Sequence, residues 1–381
     1  MAIIDLTGEE IGVTGSGDAG PDEPRALRTS WDSDNVAATA LAGMSSLAFT
    51  WLVYERLTPL SGGLGFLLSW WAAFVAMSFV IAWERRGKLA ARDHLARTLV
   101  VSAALVVLIP LVAILLGVVA KGYHSLRLHF LTQDQSHVGP LDSATRGGAS
   151  HAIVGTLEQV GIATLISVPL GFATAVFLNE IGGPLSKPVR MLVDAMSAIP
   201  SIVAGLFIYT ALIQSGYIHQ SGFAAGLSLA VLMLPTVTRT AEVVLRVVPG
   251  GLREASLALG ATEWRTTMRV ILPTARAGLA TAIILGLART IGETAPLILT
   301  TLGNVRINAN PFKGQQAALP LYVFQLFRQD IGNSVQRAWN GALVLIVLVL
   351  LLFVIARIIG GRGPGHISRI RRWRLVRKGL A

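Results

Sequence analysis

Long apolar runs separated by short polar stretches dominate the chain. A run of roughly 18 or more apolar residues is long enough to cross the hydrocarbon core of a bilayer as a helix, and about eight runs qualify. They are Val36–Tyr54, Leu64–Trp83, Thr98–Ala120, Ala152–Leu178, Met196–Gln214, Phe223–Val237, Ala277–Leu302 and Gly341–Ile359. The sixth is short and ends around Pro235, which predicts a tilted or kinked crossing. A buried helix of a soluble protein explains any one short run but not the set. The runs are continuous and lack the in–out alternation of a membrane barrel. The expected fold is therefore all-α: a polytopic transmembrane helical bundle.

Composition agrees. Hydrophobic residues make up 53% of the chain and charged residues 14%, against roughly a quarter charged in ordinary soluble domains. Cysteine is absent, which excludes disulfides, thiolate metal sites and cysteine nucleophiles. Residues 1–35 are acidic and Gly-rich without an early apolar core, so they read as a disordered cytoplasmic tail rather than a signal peptide. If the N-terminus is cytoplasmic and the sides alternate, the inside segments hold about 23 of the 32 basic residues, which favours this orientation. Both termini are then cytoplasmic. The net charge of +11 needs no nucleic acid, because the basic C-terminal tail (360–381, with Arg369, Arg371, Arg372, Arg374, Arg377 and Lys378) follows a membrane helix and suits anionic headgroups. His124, His129, His137 and His151 cluster in one outer loop at spacings that define no metal site, and they read as solvated.

One inside loop, 249–273, is too polar to span and too helix-prone to be a linker. Gly250 and Gly251 break the chain before it, Gly260 divides it into two short helices, and Pro273 is expected to stop it. Leu252, Ala255, Leu259 and Trp264 share an apolar side, while Arg253, Glu254 and Glu263 stay polar. That pattern suits a helix docking into a partner's groove, or one simply lying on the membrane surface. Glu254-Ala255-Ser256, Gly260, Val270, Leu272 and Pro273 resemble, step for step in spacing, the EAA loop of ABC-importer permeases. Ser256 and Val270 are mild departures from that family's pattern. The resemblance implies a type I importer permease core at 98–359, whose coupling loop seats Arg253, Glu254, Ala255, Ser256, Gly260 and Pro273 against an ATPase subunit. The segment 36–97, an accessory N-terminal helix pair carrying Trp70, Trp71 and Trp83, lies outside the resemblance.

The chain carries no P-loop of its own: Gly87-Lys88 is followed by Leu89, which has no hydroxyl for magnesium. ATP and magnesium thus belong to a separate ATPase, and the subunit is not an enzyme by itself. Inside the seventh run stand Arg289 and Glu293, four residues apart and so expected on one helical face. Charges at membrane depth usually face a polar path or a partner. Arg suits a tetrahedral oxyanion, and Glu can accept the proton that hydrogen phosphate keeps and sulfate lacks. A salt bridge that only fixes packing is the plain alternative. The segments Ala288-Arg289 with Gly292–Leu297, Ala198–Phe207 and Leu234–Glu242 resemble phosphate-specific permeases of the PstA type. That resemblance implies a substrate path at Arg289, Thr290 and Glu293. Arg239, Glu242 and Arg246 sit at the inner end of the sixth run, where their simplest role is to anchor that helix end and pair locally; a second reading places Arg239 on the inner exit of the path. The resemblance also implies a homologous PstC-type permease, a PstB-type ATPase dimer and a PstS-type phosphate-binding protein docking on 303–340 near Arg306, Lys313 and Arg328. A permease for sulfate or molybdate, or a passive anion channel, is the rival reading.

Overall fold

The computed structural model describes residues 33–58, 62–124 and 126–361. The first 32 residues of the acidic tail and the run Arg369–Lys378 lie outside the described residues. The chain divides into two compact units, Met1–Val112 and Ala113–Ala381.

In the first unit α1 spans Ser33–Leu52, and α2 (Gly63–Tyr123) begins there and is broken at Gly87, whose φ of 81° is cheap only for glycine. Trp70 donates its indole N–H to the Gly43 carbonyl (3.3 Å), and the Tyr54 hydroxyl meets Ser69 (3.2 Å). Trp70 is therefore a packing residue, whereas Trp71 and Trp83 are exposed. Of the two accessory runs, Gly63–Arg85 is long and apolar enough to cross a membrane. The expected crossing at Val36–Tyr54 does form a helix, but it is not among the described helices long and apolar enough to cross a membrane.

The second unit is built around α6, Gly222–Val247. It packs between α3 (Ser150–Val176, continued by a π-helical turn to Ile181) and α9 (Leu272–Thr290). Val160, Leu229, Met233, Val237 and Leu287 fill the middle of this sandwich. Ala241, Leu245, Ile271 and Ala275 fill the end nearer the 249–273 loop. Because lipid is as apolar as these side chains, close packing and interhelical hydrogen bonds must hold the helices. The Ser167 hydroxyl, which donates to the Ala230 carbonyl (3.0 Å), is one such bond. α12 (Gly332–Gly360) packs on α9 and α11 (Leu319–Arg328).

Three expectations need correction. α6 does not end near Pro235 but runs on to Val247, with the proline buried inside it; neighbouring helices let membrane helices keep a proline. The fifth run yields only a short helix from Ser201 to Ile213, which opens as α5 (Ser201–Ile208) and meets the preceding α4 (Ser186–Ser197) at 105° near the run's start. Pro200 enforces this by disfavouring helix at Ile199 and starting the next helix. The seventh run also breaks, because α9 ends at Thr290 and α10 (Ala295–Thr300) starts anew with Pro296 in its first turn. Six described helices, or seven with the bent pair counted as one, are long and apolar enough to cross a membrane.

The two broken runs meet. A methyl group on Gly205 of α5 would stand 2.5 Å from the Cα of Pro296 in α10, so only glycine allows this contact. At the end away from the 249–273 loop, Gln316 ties segment 301–318 down. Its carbonyl accepts from the Thr301 hydroxyl (2.6 Å), and its side-chain oxygen accepts from Gln159 of α3 (3.1 Å).

Candidate functional site

The loop 249–273 forms two short helices, α7 (Gly250–Ala258) and α8 (Glu263–Thr266). Gly260 joins them with φ +80°. Its N–H donates to Leu257 (2.9 Å) and the next N–H to Ser256 (3.2 Å), the pair of bonds that closes a helix on a left-handed residue. The Ser256 and Thr266 hydroxyls (2.8 Å) bridge the two helices. Pro273 does not stop the segment. A π-helical turn, Thr267–Ile271, carries α8 into α9, and the wider turn absorbs the N–H that Pro273 lacks. Leu252, Leu257 and Trp264 are exposed, and Leu259 is 89% exposed, so the expected apolar side has no cover within the described chain. Glu254 and Ala255 are exposed beside it.

Arg253 anchors this assembly from beneath. Its Nε and Nη2 donate to the two oxygens of Glu180 (3.0 and 2.8 Å), while Nη1 and Nη2 also reach the carbonyls of Val248 and Leu245 (both 3.1 Å). One side chain thus satisfies a carboxylate and the C-terminal end of α6. The bond to Glu180 holds the guanidinium above its ordinary pKa.

Beside it lies a second ionic cluster. Glu242 is only 2% exposed, and it accepts from Arg246 (2.6 Å), Arg190 (2.8 Å) and Arg239 (3.2 Å). Arg239 also pairs with Asp194. Arg190 and Asp194 are four apart on α4, so the cluster clamps the amphipathic α4 to the end of α6. Arg239, Glu242 and Arg246 therefore do pair locally. Sequence reasoning missed their partners Arg190 and Asp194, and missed Glu180, the partner of Arg253. The spacing on α4 carried a signal for the first two, but nothing local pointed Glu180 at Arg253.

The Arg289–Glu293 geometry differs from expectation. Their spacing predicts a shared helical face, but Ile291–Thr294 is not helical, so Glu293 lies in the gap between α9 and α10. Arg289, in the last turn of α9, is exposed and donates to the Thr236 hydroxyl of α6 (3.4 Å). Among the described residues neither Arg289 nor Glu293 has an ion-pair partner. Thr290 is buried, and its hydroxyl is spent on the Gly286 carbonyl (2.9 Å). Thr236 lies one turn from Arg239 on α6, so Arg289 and Arg239 occupy successive levels along that helix. Of the outer-loop histidines, His151 is not solvated: it is buried at the start of α3 with its ring against Tyr322 (5.4 Å).

The family described as "Binding-protein-dependent transport system inner membrane component" matches residues 167–362. Phosphate transport system permease protein PstA 1 of Mycobacterium tuberculosis strain H37Rv is 39% identical over 70% of this chain and 87% of its own length. PstA of Mycobacterium leprae is 39% identical over 68% of this chain and 85% of its own. PstA of Yersinia pestis is 35% identical over 73% and 91%. Among solved structures, an inward-facing form of the MetNI methionine ABC transporter is similar over 56% of this chain and 93% of its own, with 24% identity and a TM-score of 0.42.

Proposed function

The chain belongs to the binding-protein-dependent transport-system inner membrane components, and from that premise we propose that it is the permease subunit of an ATP-driven importer for inorganic phosphate. The relatives' names supply the substrate. The observation that carries the reading within this molecule is the exposed Arg289 guanidinium, unpaired among the described residues, beside a backbone gap that holds Glu293. Discontinuous helices near the bilayer midplane are where transporters commonly bind their substrates. Arg289 offers paired, charge-assisted donors to an oxyanion. Glu293 accepts the proton of hydrogen phosphate and disfavours fully ionised sulfate. Arg239, a turn nearer the 249–273 loop, receives the anion on its way out.

The exposed apolar side of α7 and α8 seats in an ATPase subunit, which binds ATP and magnesium. The chain pairs with a homologous PstC-type permease over a PstB-type ATPase dimer, and a PstS-type binding protein delivers phosphate to segment 303–340. Arg306, Lys313 and Arg328 are exposed there. The loop 249–273 and both termini face the cytoplasm, as the distribution of basic residues favours. The test is ATP-dependent uptake of labelled phosphate into vesicles holding the assembled complex, with sulfate as competitor. Wild type should resist sulfate and Glu293→Gln should not. Equal competition by sulfate in the wild type overturns the substrate, and an unchanged preference in Glu293→Gln removes the role of Glu293.

A further inference from the structure

α3, α9 and α12 enclose a groove of about 590 Å³ on the flank of the second unit. Its wall is apolar nearly throughout, with Leu157, Leu165, Ile283, Leu352 and Ile359 among its side chains. Thr164 lines it too, but its hydroxyl is bonded to the Val160 carbonyl (2.7 Å). Arg276 is the one charged residue in the described lining.

Chain direction fixes where that charge lies. α9 leaves the 249–273 loop, whereas α3 and α12 run toward the same end. Arg276, Phe172 and Gly360 therefore mark the loop end of the groove, and Leu157 and Leu287 the other. From Leu157 to Phe172 the groove follows α3 for about 22 Å at 1.5 Å per residue. One leaflet of the hydrocarbon core is about 15 Å deep, half of the total. The groove thus accepts an apolar chain through a full leaflet, with a guanidinium at the headgroup level. Arg276 is exposed there, and Arg269 and Arg357 add exposed cations at the same end. A polar solute would find almost no hydrogen-bonding group along the wall. An uncharged apolar helix would bring no negative charge to the positive end.

We infer that this groove holds one acyl chain of an anionic phospholipid from the loop-side leaflet, with its headgroup against Arg276. The bound lipid fills the flank of α3 and α9, the two helices that sandwich α6. This site is separate from the proposed phosphate path: Arg276 and Arg289 stand at opposite ends of α9, about 20 Å apart.

The test uses the assembled importer in nanodiscs of equal parts phosphatidylcholine and phosphatidylglycerol, then mild detergent and native mass spectrometry. One retained phospholipid per permease is expected, with phosphatidylglycerol preferred. Gly161 faces open space in the groove, so Gly161→Phe should displace the lipid. Arg276→Gln should keep a lipid but lose about fivefold in preference for phosphatidylglycerol, the equivalent of about 1 kcal/mol per basic residue at an anionic surface. Unchanged lipid retention in Gly161→Phe overturns the inference. Should that variant not assemble, Leu165→Cys decides. Leu165 is 77% exposed in a chain without cysteine. A fluorophore on the introduced thiol should be quenched more by brominated phosphatidylglycerol than by brominated phosphatidylcholine. Equal quenching, or a crosslink from that thiol to another subunit, overturns the inference. None of these readouts depends on phosphate, so failure here leaves the transport reading untouched.

Discussion

Two groups of arginines occupy the second unit, and they differ in what surrounds them. At the end nearer the 249–273 loop, Arg190, Arg239, Arg246 and Arg253 converge on Glu242, Asp194 and Glu180. Higher along α6, Arg289 meets a single hydroxyl and Glu293 has no ion-pair partner among the described residues. A saturated guanidinium, one whose charge is met by a carboxylate of the chain, fixes geometry. An unsaturated one near a break in the helix keeps its donors for something the chain does not supply. Under the proposed function, the contrast separates residues that hold α4, α6 and α7 together from residues that handle a ligand. It leaves Arg239 as the link between the groups, since it pairs locally yet stands one turn from the residue that Arg289 touches.

The sharpest way to break this division is to remove the acceptor of the saturated group. Glu242→Gln leaves three guanidiniums around a buried neutral amide. Removing one partner of a buried ion pair costs about 3–5 kcal/mol. The arginines are partly exposed, so the loss expected here is about 3 kcal/mol, at the lower end of that range. It should appear as a lower thermal unfolding midpoint of the purified complex. A variant with wild-type stability and defective transport would move Glu242 to the ligand-handling side of the comparison.

The complementary change is Arg289→Ala. Stability should stay within about 0.5 kcal/mol, as for surface substitutions that remove no paired group. ATP-dependent phosphate uptake at limiting substrate should fall roughly thirtyfold, the equivalent of about 2 kcal/mol for hydrogen bonds to a charged group. Arg289→Lys should fall in between, since the ammonium keeps the charge but not the planar fork. If Arg289→Ala lowers the unfolding midpoint as much as Glu242→Gln does, the two groups are not different in kind.

The sequence carried one group's identity and the other's position, but not their surroundings. Gly260 and the two short helices were legible locally, because a glycine between helical segments is a local feature, while Glu254 was singled out by the resemblance to the EAA loop. Arg253 read as a polar residue of the coupling loop, since its partner Glu180 lies 73 positions away. The apolar run Ala277–Leu302 concealed its own break, because hydropathy does not register a backbone gap at Ile291–Thr294; Pro296 was the available warning. Pro235 gave the opposite error. It looked like a helix end but is enclosed by neighbours that keep α6 continuous. The length and apolarity of the runs conveyed the helical membrane architecture. Whether a proline ends a helix or is carried within it, and where a long-range ion pair closes, are both decided by packing between segments remote in sequence.

The smallest expected effect tests how firmly the saturated group positions the docking surface. Gly260 has φ +80° with no atom near its missing side chain. Gly260→Ala therefore introduces strain and no clash, at about 1–2 kcal/mol for an L-residue held in the left-handed region. α7 is pinned by Arg253, so the strain should fall on the link to α8 and tilt Trp264 and Leu259 relative to Leu252. Coupled phosphate uptake should drop by about fivefold, as expected for about 1 kcal/mol, with stability of the membrane core unchanged. Gly260→Asn should recover much of the loss, because asparagine tolerates left-handed backbone better than alanine. If alanine and asparagine both match glycine in uptake, the turn does not set the docking angle, and the ion pairs of Arg253 position α7 alone.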